Sequence, residues 1–428
     1  MKKILPGLTA IFLSCSLWAQ VKFNNLNEVL AFADKNSVAA KMAVLNEETA
    51  AKEEQLYRST LKPRIDITSA ADYHFIIPSL VVPDKLVGGS EGKFRALQLG
   101  LPFTMSSALE LTLPLFNREK WAEAKRYALE KERAKQGSRL SLEQLHTAVA
   151  QAYYNALLAK ELTLLAAESQ KTMAQVMAML EQRKGEGILA PVDYNRAKAI
   201  QADVDNAALQ WSLLLSRSHA SLHQLLSIPD TDSILLSQTL SIDWIIIPSL
   251  ETNQRPAYTE AKASVMVAEQ MLLQSRKAAL PKLSLNGRYS YQSQVQKGQS
   301  VSFDMSSIGI KLHVPLFAGG YYKIAQEKVR MLTETAKLRE QQILTVLQKE
   351  KEDWTALYTV AAKRQKGVQQ KLSATADNLR IGQLSLKEGV MEFDEFNTLF
   401  QDWIKARMEH LQIVNEGLLY QFLLTQKP

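Results

Sequence analysis

Two histidines, His219 and His223, lie four residues apart in a stretch predicted to be helical, a spacing at which two imidazoles can bind one metal ion. No nearby Glu-x-x-His pattern or third ligand accompanies them, so structural histidines are the favoured interpretation. Residues 185–187 read Gly-Glu-Gly but follow a long helix rather than a strand, which argues against a nucleotide-binding loop. Serine, histidine and aspartate occur without the spacing of a catalytic triad. The sequence therefore predicts no enzyme, no metal site and no cofactor.

Acidic side chains follow two glycines that end long helical stretches. Asp193 follows Gly187, and a denser acidic group follows Gly389. The members of that group are Glu392, Asp394 and Glu395. Carboxylates at a helix N-terminus interact favourably with the helix dipole, so capping alone can explain their presence.

The elements that position these residues occur twice along the chain. Residues 113–116 read Leu-Pro-Leu-Phe and residues 314–317 read Val-Pro-Leu-Phe, and each closes a segment of alternating apolar residues. Each then opens a long helical stretch without proline that ends at Gly187 or Gly389, at spacings that differ by one residue. A second, shorter helix follows each glycine. The sequence therefore predicts an internal duplication of one unit, which consists of strand, strand, long helix, turn and helix.

The predicted division of the chain follows from this duplication. It places a signal peptide at 1–19, a first repeat at 20–227, an inter-repeat segment at 228–255 and a second repeat at 256–428. The leader carries two lysines before an apolar core, and cleavage is expected after Ala19. Cys15 is the only cysteine. Lipid attachment to it is the alternative to its removal with the leader, but the preceding residues depart from a lipoprotein box, so removal is favoured.

Charge and hydropathy exclude two classes of protein. The 428 residues carry a formal net charge of +7, with Lys, Arg and Glu interleaved along helices, as in 126–133. This pattern indicates solvated helix faces rather than a nucleic-acid-binding surface. After residue 20 no run approaches the ~18 apolar residues that a membrane-spanning helix needs. An exported chain of this kind could still enter an outer membrane through β-strands.

Four segments show the period-two alternation of strands. The predicted strands are 64–75, 95–114, 282–292 and 301–315. Alternation over about ten residues with aromatics near one end is typical of lipid-facing barrel strands, although a soluble sandwich would alternate in the same way. Four strands cannot close a barrel, and unpaired backbone edges are not tolerated in lipid. Several copies must then share one barrel; two would give eight strands and three would give twelve.

The long helices must pack lengthwise, because about 70 residues at 1.5 Å rise extend on the order of 100 Å. The shorter returning helices carry apolar residues at spacings of three and four, which indicates coiled-coil packing. These positions are Val204, Ala208, Trp211, Leu215, Leu222 and Leu225 in the first repeat and Phe400, Ile404, Met408, Leu411, Leu418 and Phe422 in the second. Small residues in 147–152 permit close helix approach on more than one side, as in the wall of a tube.

These motifs, taken in order and twice, resemble those of the TolC-like outer-membrane efflux proteins over essentially the whole mature chain. Residues 61–65 and 279–283 resemble the lead-in to a strand, and the two Pro-Leu-Phe turns resemble the strand-to-helix junctions. Residues 187–193 resemble the tip of a helical hairpin.

The resemblance implies an α+β fold in which each chain gives four strands to a membrane β-barrel shared by a homotrimer. The barrel would be continuous with a long α-helical barrel in the periplasm, and 228–255 with the C-terminus would form a belt around it. The protein would lie in the outer membrane of a Gram-negative bacterium, in contact with its lipid. It would serve as the passive exit duct of a tripartite efflux or type I secretion system, for small molecules or secreted substrates. Its partners would be a periplasmic adaptor (a membrane fusion protein) and an inner-membrane pump.

The resemblance also implies site residues. Acidic side chains of the second hairpin would line the periplasmic constriction, with Asp394 at the first acidic position and Glu392 or Glu395 adding charge. Asn397 stands where a second aspartate is often found, and Asp193 is the counterpart in the first hairpin. The hairpin tips would contact the adaptor, through Gly187, Ile188 and Leu189 in the first repeat and Gly389, Val390 and Met391 in the second. Helix capping and a glycine-permitted turn remain the alternatives for these two sets.

The rival interpretation is an exported periplasmic coiled-coil adaptor or structural protein without a channel. It explains the leader and the helices, but not two strand pairs that are each followed by a long helix of nearly equal length. A stable trimer in detergent-extracted outer membranes would separate the two.

Overall fold

The computed structural model describes residues 20–98, 100–246, 251–296 and 298–426. The predicted signal peptide and its Cys15 lie outside the described residues. The strands are β1 (Gln20–Phe23), β2 (Arg64–Tyr73), β3 (Ser79–Pro83), β4 (Phe94–Gln98), β5 (Phe103–Phe116), β6 (Ser233–Leu236), β7 (Lys282–Gln296) and β8 (Gln299–His313). The helices are α1 (Leu26–Asn36), α2 (Val38–Ser59), α3 (Arg118–Gly185), α4 (Pro191–Leu226), α5 (Pro256–Lys277), α6 (Tyr321–Glu388) and α7 (Phe393–Thr425). Short 3-10 helices cover Asp84–Val87 and Thr252–Gln254.

The predicted duplication is confirmed. In each half a strand pair precedes a helix of 68 residues, α3 or α6, and a shorter helix then returns, α4 with 36 residues or α7 with 33. No helix among the described residues is long and apolar enough to cross a membrane.

The chain forms two compact units. Unit 1 takes in the described residues of Met1–Asn46, Gln136–Thr259 and Gln342–Pro428. Unit 2 consists of Glu47–Lys135 and Glu260–Gln341. Both repeats contribute to both units, because α3 and α6 supply residues to each.

Unit 2 contains a four-stranded antiparallel sheet in the order β2-β5-β7-β8. The two central strands come one from each repeat, so the sheet joins the repeats. The edge strands are β2 and β8. The same unit contains parts of α2, α3, α5 and α6. Gln270 joins α5 to α3, since its Nε2 donates to the Ala122 carbonyl at 2.7 Å. Thr333 Oγ1 donates to the Ala268 carbonyl at 3.2 Å in the same way.

The prediction of one continuous return strand at 95–114 is wrong in its N-terminal part. The chain there forms two strands, since β4 pairs with β3 in a separate hairpin and only β5 joins the main sheet. The break has a physical cause: Gly100 has a φ of 132°, and Pro102 lacks the N–H that a central strand must donate.

Unit 1 is built on the apolar stripes of α1, α3, α4 and α7. Small and aromatic residues of α3 are fully buried, among them Val149, Ala150, Tyr153 and Ala156. Most positions of the stripes predicted on the returning helices pack into this core, whereas Ala208 and Leu215 are half-buried and do not belong to it. Val204, Leu222, Phe400 and Leu411 are buried, and Trp211, Leu225, Ile404, Met408, Leu418 and Phe422 pack against them.

The inter-repeat segment crosses unit 1 after a short strand. β6 pairs in parallel with β1, a contact that the sequence analysis did not predict. Residues 241–246 follow without regular secondary structure, and Ile242 and Trp244 among them lie against α7. Trp244 covers Gly417, where an added Cβ would lie 2.5 Å from the indole ring. The Tyr358 hydroxyl lies 3.1 Å from both the N and the O of Ile245 and fixes the segment to α6.

Candidate functional site

The first hairpin turn, between α3 and α4, is set by Gly187. The N–H of Gly187 donates to the Lys184 carbonyl at 3.1 Å, and that of Ile188 donates to the Arg183 carbonyl at 3.0 Å. This pair of bonds is the Schellman arrangement, which satisfies carbonyls at a helix C-terminus and requires a residue with positive φ. Gly187 has a φ of 75°, which glycine adopts without steric cost.

The second hairpin turn repeats this geometry between α6 and α7. Gly389 has a φ of 82°, and its N–H donates to the Leu386 carbonyl at 3.2 Å. The N–H of Val390 donates to the Ser385 carbonyl at 2.9 Å. The duplication therefore extends to individual hydrogen bonds at the two tips.

Each tip exposes one apolar side chain to solvent and half-buries the next. Ile188 is 74% exposed and Val390 is 79% exposed. Leu189 and Met391, which follow them, pack against the core of unit 1. The half-buried member packs the turn against the core of unit 1 and leaves the exposed member accessible.

An arginine neutralises part of the predicted acidic cluster. Arg196, on the first turns of α4, forms a short ion pair with Asp394 on α7. The same guanidinium lies 3.8 Å from Asp193. The structure thus brings Asp193 and Asp394, which lie far apart in the chain, to one cation.

The other predicted acidic residues have different surroundings. Glu392 precedes α7 as its N-cap but makes no side-chain capping bond, and Glu395 is exposed. Neither forms an ion pair in the described part of the chain. Asn397 is half-buried, and its Oδ1 is buried without a hydrogen-bond partner among the residues that the structure describes. Two free carboxylates therefore stand beside one neutralised carboxylate.

A second arginine joins the two hairpins. Arg183 Nη2 donates to the Leu386 carbonyl at 2.5 Å and lies 3.4 Å from that of Lys387. Sequence reasoning missed both Arg183 and Arg196. The three-residue spacing of Arg196 from Asp193 is a signal that could have been used. The contacts of Arg183 with Leu386 and of Arg196 with Asp394 connect residues about 200 positions apart, so no short sequence pattern indicates them.

The predicted histidine pair has ordinary surroundings. Burial lowers the pKa of His219, and the proximity of His223 adds to this effect. His223 Nδ1 lies 3.4 Å from the Ile228 carbonyl. No group of three potential metal ligands occurs in the residues that the structure describes.

The second candidate surface is the main sheet of unit 2, whose faces differ sharply. Strand register places Ile65 beside Leu111, Leu111 beside Gly287 and Gly287 beside Ile308, all on one face. That face is apolar near the helices and is largely uncovered in the single chain. Its apolar members are Ile65, Ile67, Leu109, Leu111, Leu113, Leu283, Leu285, Tyr289, Ile308, Ile310 and Leu312.

The opposite face of the main sheet is polar along the same part of the strands that carries the apolar band. It carries an ion pair between Arg288 and Glu110, 3.4 Å apart on adjacent strands. Its neighbours include Asp66, Thr112, Asn286 and Lys311.

Aromatic residues flank the apolar band. Tyr73 and Phe103 pair across β2 and β5 at the end far from the helices, and Tyr73 contacts Phe75 edge to face. At the helical end, Phe116 contacts Trp121 edge to face. Amphipathic rings at both ends of an apolar band are typical of strands that cross a membrane.

Comparison with solved structures identifies the fold of this chain, whereas comparison of sequences does not. No known family profile matches the sequence, and no curated protein gives a significant match. Solved structures match it over nearly its whole length. The chain is similar to CusC, studied for transmembrane channel formation, at 16% identity and a TM-score of 0.77, covering 98% of this chain and 96% of that one.

Two further structures agree. The CmeC outer membrane channel of Campylobacter jejuni is 17% identical, with a TM-score of 0.79 over 93% of this chain and 85% of that one. The open state of the MtrE outer membrane channel of Neisseria gonorrhoeae is 17% identical, with a TM-score of 0.72 over 93% of this chain and 88% of that one. The α+β fold predicted from the resemblance to TolC-like proteins is confirmed: this chain has the fold of outer-membrane channels.

Proposed function

We propose that this chain is one protomer of a homotrimeric outer-membrane channel, the exit duct of a tripartite efflux or secretion system. The observation that carries the proposal is the main sheet of unit 2. It has one apolar face, one polar face and two open edges, β2 and β8. A sheet of this kind is stable in lipid only if further copies close its edges.

The direction of the strands suits such closure. Every neighbouring pair in the sheet is antiparallel, so β2 and β8 run in opposite directions. The β8 edge of one copy can therefore pair with the β2 edge of the next as another antiparallel pair. Three copies give twelve strands, with the apolar face towards lipid and the polar face towards the lumen. Every residue of β8 is exposed in the single chain. This exposure is expected of an edge strand that pairs with another copy.

The helical part of the duct ends at the two hairpin turns in this proposal. Ile188 and Val390 contact the periplasmic adaptor, supported by Leu189 and Met391 and shaped by Gly187 and Gly389. The acidic residues beside them line the constriction. Glu392 and Glu395 supply most of the negative charge there, since Arg196 neutralises Asp394 and lies near Asp193. Asn397 adds no charge.

Engineered disulfides test the shared sheet. The predicted mature chain lacks cysteine, so only introduced thiols can react. Ile65→Cys on β2 is combined in turn with Ile308→Cys, Ile310→Cys or Leu312→Cys on β8, and outer membranes are oxidised before denaturing electrophoresis. We expect one combination to give covalent dimers and trimers. Leu86→Cys with Ile246→Cys, which lie on neither edge, should stay monomeric on the gel.

Native mass spectrometry of the detergent-extracted protein checks the copy number. A stable monomer, together with no cross-link in any β2–β8 combination, would contradict the proposal and favour a structural protein without a channel.

A further inference from the structure

A cavity of about 840 Å³ lies in unit 2, at the end of the main sheet where the strands meet the helices. The end of α2, the start of α3 and the ends of β2, β5, β7 and β8 form its walls. Most lining residues of the strands belong to the polar face, because Arg64, Thr112, Ser284 and Lys311 share one side of the sheet. The hydrogen-bonded strands of one sheet therefore form one side of the cavity, and the ends of α2 and α3 form another.

The lining of this cavity is strongly basic. Five of its side chains are lysine or arginine, one is His313, and the only carboxylate among them is Asp66. The five are Lys62, Arg64, Lys120, Lys282 and Lys311.

Internal ion pairs account for two of these five cations. Arg64 pairs with Asp66 at 2.8 Å, and Lys282 pairs with Glu119 at 2.5 Å. The other three cations are Lys62, Lys120 and Lys311. None of them lies within ion-pair distance of a carboxylate in the part of the chain that the structure describes.

Three unpaired ammonium groups around one concavity repel each other, and this costs free energy unless an anion joins them. Ammonium groups bind phosphate and carboxylate oxygens through charge-assisted hydrogen bonds. Hydroxyls of Thr112 and Ser284 line the same cavity and can donate further bonds, whereas those of Ser59 and Thr60 already donate to helix carbonyls. A volume of this size suits a ligand of several phosphate or carboxylate groups rather than a single small ion.

The geometry points to a binding site for soluble multivalent oxyanions, formed by Lys62, Lys120 and Lys311. The site lies on the polar face of the sheet, opposite the apolar band. If the proposed channel is correct, on which this step rests, lipid headgroups are less suitably placed than soluble anions because the apolar band faces lipid, and three such sites surround the lumen where the sheet meets the helices. They would retain polyanionic solutes on their way out.

Calorimetric titration with sodium tripolyphosphate tests the site on the full-length protein in detergent. The triple variant Lys62→Gln/Lys120→Gln/Lys311→Gln should bind at least about tenfold more weakly than the wild type. A matched control, Lys93→Gln/Lys323→Gln/Lys328→Gln, removes the same charge from exposed positions outside the cavity and should bind within about twofold of the wild type. Circular dichroism and gel filtration verify that both variants fold.

Three outcomes would overturn the inference: no tripolyphosphate binding by the wild type, equal affinity in wild type and cavity variant, or equal weakening in both triple variants. The titration is repeated in nanodiscs of phosphatidylcholine and of phosphatidylglycerol. Equal affinity in the two supports a soluble anion, whereas loss of binding in phosphatidylglycerol alone would overturn that assignment in favour of a headgroup.

Planar-bilayer recording separates this inference from the proposed function. Normal conductance without tripolyphosphate binding would overturn the oxyanion site and leave the channel intact. Tripolyphosphate binding without any conductance would overturn the channel and leave the oxyanion site intact.

Discussion

At the scale of single residues, Arg196 determines how much charge the acidic cluster presents. Because Asp394 is paired with this guanidinium and Glu392 and Glu395 are not, the two glutamates should dominate ion selectivity. We expect Glu392→Gln/Glu395→Gln to lower the cation-to-anion permeability ratio by a factor of about two or more. Asp394→Asn should change this ratio less. Reversal potentials in planar bilayers under a salt gradient measure the effect.

The control for this prediction is Glu53→Gln, an exposed carboxylate of α2 in unit 2. It should leave the reversal potential unchanged. If Asp394→Asn instead had the larger effect, the ion pair with Arg196 would not persist in the assembled protein. Unchanged selectivity in both variants, with a lowered Tm, would leave helix capping as the only role of these carboxylates.

Gly417 carries a second residue-scale prediction. A Cβ at this position would lie 2.5 Å from the Trp244 ring and 2.8 Å from Ile242, so Gly417→Ala must displace the inter-repeat segment from α7. We expect a loss of about 1–3 kcal/mol in the free energy of unfolding. Thermal unfolding and Trp fluorescence measure it.

Gly367→Ala is the matched control, since it also changes a helical glycine but meets nothing within 4 Å. It should be neutral or stabilise by up to about 1 kcal/mol. Equal effects of the two substitutions would show that helix propensity, not contact with Trp244, decides the outcome at Gly417.

At the scale of the elements, the face assignment of the main sheet gives a prediction about assembly. Leu111→Arg places a cation in the apolar band, which costs roughly 2–4 kcal/mol per copy if that band faces lipid. Leu285→Asp should impair assembly less. Trimer yield in extracted outer membranes measures both. Ser290→Arg, on the polar face, should assemble normally, and the opposite ranking would mean that the two faces are inverted.

Contacts between α6 and α7 predict a pH dependence. Glu409 on α7 accepts hydrogen bonds from Lys371 and Arg364 on α6, at 3.0 and 2.9 Å, and these bonds lower its pKa. A carboxyl whose pKa is lowered by folding stabilises the protein above its unfolded pKa of about 4.5. That stabilisation is lost as the pH falls through the lower, folded-state value.

Glu409→Gln should therefore reduce the free energy of unfolding at pH 7 by about 1 kcal/mol or less, because all three side chains are partly exposed. Below the folded-state pKa the variant and the wild type should unfold alike. Parallel melts at pH 7 and pH 3 measure the difference. A constant difference at both values would contradict an electrostatic origin.

Periodic patterns in the sequence predicted most of the long helices and strands. They did not predict where a strand is interrupted or which distant segments pair with each other. The helices α3, α4, α6 and α7 and three of the four strand regions follow from periodicity and the repeated turns, whereas α1, α2 and α5 were not predicted. The strand predicted at 95–114 failed because alternation continues past Gly100 and Pro102, although the backbone cannot. The β1–β6 pair was missed because four-residue strands more than 200 positions apart carry too little pattern. The pairing of Arg196 with Asp394 depends on the packing of α4 against α7.

At the scale of the whole molecule, the proposed channel implies that the exposed residues of the hairpin tips contact the adaptor and contribute little to folding. Ile188→Asp/Val390→Asp changes two exposed side chains and leaves both Schellman turns intact. We expect normal trimer yield and single-channel conductance but at least about tenfold weaker capture by the adaptor. Leu86→Asp, an equally exposed site in unit 2, should retain capture. Full capture by the tip variant would rule out these residues as the contact.

The alternating strand directions have a consequence for stoichiometry. Each chain contributes an even number of strands to the main sheet, and its edge strands run in opposite directions. Any number of copies can therefore join edge to edge without placing two parallel strands together. Strand pairing therefore makes the total number of strands in a closed ring even, but it does not determine how many protomers the ring contains. In the proposed channel, the number of protomers would then depend on the angle at which the helices of neighbouring copies pack, so we expect substitutions that alter the stoichiometry to lie in the helices.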